Sequence, residues 1–171
     1  MSYIGSSGGA SYMTGMAELT AAMNAEIIAM RTASLSGLVK ASIFMRNVTE
    51  HVSPKTPMRL GNLVASWFVV TANAIHKGED AVFTGPDSAK FTGDHTAAIA
   101  EKRAEAFSLS GRDRQILVMG YSASYAGFLH EALNITHFTR EGSGVKWFET
   151  HFKANKDQIL NIIRTNISTT L

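Results

Sequence analysis

A chain of 171 residues with 45% hydrophobic content is long enough for one domain with a real core and short for two. Sixteen basic side chains against fourteen acidic ones leave a net charge of only +2; the pI near 9.0 therefore reflects near-balance, and no specific nucleic acid is expected as a partner. The lack of cysteine excludes a disulfide framework and a thiolate metal site, and it fits assembly in a reducing cytoplasm.

In chain order, Met1 to Met13 is a Gly/Ser-rich arm with no basic start and no apolar run of signal-peptide length. It is expected to be flexible, ahead of a single domain over 14–171. Apolar or small residues then recur at Met23, Ile27, Met30, Ser34, Leu38, Ala41, Met45, Val48 and Val52, the helical period. Ile28, Leu35, Val39, Ile43 and Phe44 widen this stripe toward a second seam. An unbroken helix from Met16 to Val52 would run roughly 55 Å, against a radius of gyration of about 15 Å for a compact domain of this size. It must bend, break or protrude, and Ser34, Ser36 and Gly37 are the expected place for a kink. Polar interruptions keep every apolar stretch short of the roughly 18 consecutive residues of a membrane span, so a soluble protein without a membrane partner is expected.

Pro54 and Pro57 stop the helix. Trp67 to Thr71 is β-branched and aromatic, and Ala81 to Thr84 follows a Lys77-Gly78-Glu79-Asp80 turn, which predicts a β-hairpin. Thr96 to Ser108 is alanine-rich and predicts a helix with Asp94 or Thr96 as its cap. Ile116 to Met119 is a short buried strand, Asn134 to Gly144 a polar loop, and Val145 to Ser168 a closing helix whose apolar side carries Trp147, Phe148, Phe152, Ile159, Ile162, Ile163 and Ile167. The order predicts an α+β fold, with a small, mostly antiparallel sheet packed against a long N-terminal helix and a C-terminal helix.

Three segments, taken together, carry a resemblance. The first is Pro57-Met58-Arg59-Leu60-Gly61-Asn62-Leu63-Val64-Ala65-Ser66-Trp67. The second is Gly120-Tyr121-Ser122-Ala123-Ser124-Tyr125-Ala126-Gly127-Phe128-Leu129-His130-Glu131, and the third is the glycine-bearing loop entering Trp147 and Phe148. In order and spacing they resemble the tail-component or tail-completion proteins of tailed bacteriophages, relatives of the lambda minor tail protein Z. Leu60 stands where that family usually has threonine. Physically, Gly61 permits a corner after which Leu63 and Trp67, four apart, face the core. Tyr125 can bury its ring while its hydroxyl finds a partner, which suits a corner close to another subunit.

The resemblance implies a non-enzymatic virion protein of the tail or head-to-tail neck, assembled in the host cytoplasm. Its partners would be its own copies, usually in a sixfold ring, and other neck or tail proteins: adaptor or stopper, tail terminator and tail tube. Its motif residues would be Pro57, Gly61, Leu63, Ser66, Trp67, Tyr125, Ala126, His130, Glu131, Trp147 and Phe148. A helix with two apolar seams exceeds what a small domain can cover, so Met23, Ile27, Met30 and Leu38, together with Tyr125 and Phe128, are the expected subunit interface.

Chemical sites are weak by comparison. His130-Glu131 suggests a metal, and a small metal-dependent hydrolase using His130, Glu131 and His137 is the alternative. A zincin helix, however, needs a second histidine three residues past the glutamate, where Asn134 stands. Gly5-Ser6-Ser7-Gly8-Gly9 lacks the Gly-Lys-Ser/Thr end of a phosphate loop, and Ser66 and Ser110 lack a nucleophile elbow. Arg31, Lys40, Arg46, Lys55 and Arg59 are flanked by Glu26 and Glu50 and read as a solvated face. No catalytic residue, metal or cofactor is assigned.

Overall fold

The structure, a computed structural model, describes residues 9–72, 83–111 and 114–168, with side chains from residue 20 onward. Helix α1 runs from Gly9 to His51 without a break. At 1.5 Å per residue its 43 residues span about 65 Å, several times the expected radius of the domain. The helix does not break at Ser34, Ser36 and Gly37, and from Thr20 to Ile28 it stands exposed. Gly37 has a different task. A Cβ placed there would lie 3.0 Å from the Ile163 backbone, so the glycine lets α1 sit directly against α6 (Lys156–Ser168). The Gly9 to Met13 part of the expected arm is likewise helical, while Met1 to Gly8 lies outside the described residues.

After α1, Gly61 adopts φ 93°, the left-handed corner that costs a side-chain-bearing residue steric strain. The short helix α2 (Asn62–Ala65) and the strand β1 (Trp67–Thr71) follow. Among the described residues the strand's partner is not the expected hairpin segment. Antiparallel β2 (Leu117–Tyr121) pairs with it, Trp67 opposite Tyr121 and Thr71 opposite Leu117. Phe83 and Thr84 are outside any strand, Ala81 and Val82 lie outside the described residues, and Phe83 is instead buried against Phe91 and His95. A run buried at every position signals a strand covered on both faces, which alternation cannot reveal.

Helix α3 (Ser88–Leu109) starts two turns earlier than the composition suggested. Neither expected cap serves: Thr96 donates to the Thr92 carbonyl inside the helix, and Asp87 holds the N-cap position without a side-chain cap bond. The closing helix is two pieces, α5 (Trp147–Ala154) and α6, joined at Asn155. Helix α3 covers one face of the sheet, where Phe68, Val70 and Val118 pack with Ile99. Trp67 faces the other way, its ring meeting Tyr121 and Phe148. Helix α1 lies against α6, α5 and β2. The α+β class holds, with a sheet of two strands among the described residues.

Candidate functional site

The three motif segments, far apart in sequence, converge. Leu63 from the first, Ala123 and Ala126 from the second and Trp147 from the third form one buried cluster, with Tyr121, Tyr125, Leu129 and Phe148 packed on it. Ser66 is buried, its hydroxyl donating to the Leu63 carbonyl at 2.7 Å. Its own carbonyl accepts from the Ser122 amide at 2.9 Å. The motifs are therefore tied by backbone bonds as well as by packing. Tyr125 stands at the start of the short helix α4 (Ala126–Glu131), its ring edge-on to Phe91 at 5.9 Å. Burial pushes its phenol up, and the Asp87 carboxylate adds to the effect.

His130 and Glu131 are used locally. His130 Nδ1 lies 2.7 Å from Glu131 Oε1, its Nε2 accepts the Glu149 amide at 3.4 Å, and its ring stands edge-on to Trp147 at 4.9 Å. Since Nε2 accepts, the proton sits on Nδ1 and is donated to the carboxylate. Lys146 donates to the other Glu131 oxygen and reaches Glu149 at 3.2 Å. The Lys146 contact first, then His130, holds the Glu131 carboxyl below its ordinary value. Among the described residues no group of three His, Cys, Asp or Glu side chains stands close enough to hold a metal ion, and His137 is not brought to His130 and Glu131.

The loop ahead of Trp147 is stitched to the chain leaving α1. Lys55 donates its amide to the Gly142 carbonyl at 2.7 Å and accepts from Gly144, and buried His151 Nε2 faces the Val52 and Pro54 carbonyls at 3.0 and 3.2 Å. Tyr121 closes the same region. Thr49 and Thr56 give their hydroxyl protons to carbonyls, so the Tyr121 phenol donates to Thr56 Oγ1 at 2.8 Å, and burial pushes its pKa up.

Sequence reading missed one polar clamp. Buried His95 lies 2.6 Å from Ser122 Oγ, which donates to the Ser66 carbonyl at 3.2 Å. His95 and the Ser122 hydroxyl share a hydrogen bond, and Ser122 in turn reaches the Ser66 carbonyl, which ties α3 to the motif corner. The signal was present in the buried row Phe91, His95 and Ile99 at steps of four, which a helix starting at Thr96 cuts in half.

Helix α1, which carries four of the six expected interface residues, separates into two parts. Ala33, Gly37, Ala41, Met45 and Thr49 turn inward and are buried. Every residue from Thr20 to Ile28 is exposed, including Met23 at 54%, Ile27 at 38% and Ile28 at 61%. Met30 and Leu38 are half-buried, Tyr125 is half-buried, and Phe128 is 69% exposed. Thr20–His51 is also long and apolar enough to cross a membrane by length and composition, with a mean hydropathy of 1.3 over its best window.

A second apolar surface opens beside the motif corner. A hollow of about 390 Å³ is walled by Met58, Leu60, Leu63, Phe91, Tyr125 and Leu129. Leu60, in the place where the resembled family has threonine, is 62% exposed at its edge. Comparison of the chain with protein-family models, with curated proteins and with solved structures finds no match.

Proposed function

We propose that this chain is a structural virion protein of a tailed bacteriophage. It forms a homo-oligomeric ring, sixfold in the resembled family, at the neck or tail end, completing the tail and joining it to the head. Assembly takes place in the host cytoplasm, and the partners are other copies of the chain and the adaptor, stopper, terminator or tube proteins around it. The observation that carries the reading is the exposed end of α1. From Thr20 to Ile28 it presents Met23, Ile27 and Ile28 to solvent, and a contiguous apolar surface of that kind marks an interaction site. The convergence of all three family-like segments on one cluster is consistent with the resemblance.

Light scattering after size exclusion, with negative-stain imaging, tests it. Rings of one stoichiometry, alone or on purified tail-tube protein, are expected. A compact monomer at high concentration that forms no ring with tube protein overturns the reading. The membrane reading rests on the hydropathy of Thr20–His51. Against it, the same helix carries Arg31 and Lys40 and gives Ser42, Met45 and Thr49 to the core. Flotation of the protein with lipid vesicles would favour that reading over the ring. The hydrolase alternative requires bound zinc or manganese that is lost in His130→Ala, which metal analysis of the purified protein decides.

A further inference from the structure

The exposed end of α1 and the apolar hollow are both open apolar surfaces, and one chain cannot bring the two together. From Ile27 to His51 the continuous axis of α1 runs about 36 Å. The hollow begins just beyond that far end, because Thr56 is hydrogen-bonded to Thr49 in the helix and Pro57 follows directly. The helix has the pattern of a groove-binding segment: Met23, Ile27 and Met30 recur at i, i+4 and i+7, with Glu26 on their flank.

Charge selects the same pairing. From Gly9 to Met30 the helix contains Glu18 and Glu26 and no basic residue. The hollow's one permanently charged wall residue is Arg59, exposed and without an ion-pair partner among the described residues. Lys90 lies over the Phe91 ring at its margin, and Asp87 nearby is engaged by the Asn62 amide. An apolar helix with acidic flanks thus matches an apolar hollow with a net cationic rim.

We propose that the Thr20–Met30 segment of one copy seats in the Met58–Leu60–Tyr125 hollow of the next, with Glu26 reaching Arg59. This rests on the ring reading and specifies its contact: head-to-tail, with different surfaces on the two sides, as ring closure requires. Two exposed positions report on it, and the chain contains no native cysteine to confuse the result. Ile27→Cys and Leu60→Cys are made as separate chains, co-expressed, assembled and mildly oxidised. A disulfide-linked dimer in the mixture, and in neither variant alone, is expected. Self-linking of Ile27→Cys, or assembled rings without any cross-link, overturns the seating and leaves the ring reading intact. Unmodified protein that stays monomeric at every concentration removes both.

Discussion

The two halves of α1 share a composition and differ in fate. Beyond Ala33 the helix meets α6, α5 and β2, and its small residues, Ala33, Gly37, Ala41 and Ser42, let those elements approach. From Thr20 to Ile28 every residue is exposed, Met23, Ile27 and Ile28 among them. Contact with those elements, and not residue size, divides the helix: Ala21, Ala22 and Ala25 lie exposed while the bulky Met45 is buried. Burial, not hydrophobicity, separates the two halves, because both read as equally apolar in sequence; on the proposed ring reading the exposed half is the one left for assembly.

That difference breaks down first if core truncations are harmless. Met45 is fully buried, and Met45→Ala should cost about 2–5 kcal/mol, transfer plus residual cavity, read by urea denaturation of diluted protein. Gly37→Val comes next. In an open helix replacing glycine gains up to about 1 kcal/mol, but the Ile163 backbone 3.0 Å away cannot yield as a flexible side chain does. Overpacking of about 1–3 kcal/mol should win, leaving a net loss; a stabilised variant would mean that α1 and α6 are not in direct contact.

At the other half the expectation reverses. Ile28→Ser, at a position 61% exposed, should change the stability of the monomer by no more than about 0.5 kcal/mol while weakening assembly. Hydrogen exchange sharpens the test: amides of Thr20 to Met30 should exchange faster than those of Ala41 to Thr49 in dilute protein, and should gain protection in the ring. Equal protection in both halves at every dilution would show that the tip is covered within one protomer.

How much of this was legible follows from what each signal depends on. The helical period of α1, the stop before Pro54, the glycine corner at Gly61 and the inward facing of Leu63 and Trp67 are local, and sequence carries them. The pairing of β1 with β2 was not foreseen, because Trp67 to Thr71 is followed by a second β-prone run, and propensity does not say which strand is the partner. The helix passes through Ser34, Ser36 and Gly37 unbroken for a related reason. Ser34, Ser36 and Gly37 weaken a helix in isolation, but burial of Gly37 against α6 outweighs that weakness. The hollow was invisible, since Met58, Phe91 and Tyr125 are joined only by the fold.

The smallest expected effect belongs to the exposed charges at the motif corner. Glu131 is held below its ordinary value of 4.5 by Lys146 and His130, so its folded form binds protons less readily than its unfolded form. Stability from that contact is therefore fully present above about pH 4.5 and is lost as pH falls through the lowered folded value. Glu131→Gln cannot titrate, so the melting temperatures of wild type and variant should differ slightly near neutral pH and converge in acid. The pair is solvated and screened, and strong salt should shrink the neutral-pH difference. A difference that survives both acid and salt would mean that the Glu131 side chain acts by packing, and that the corner beside the hollow is fixed by shape where charge is expected to fix it.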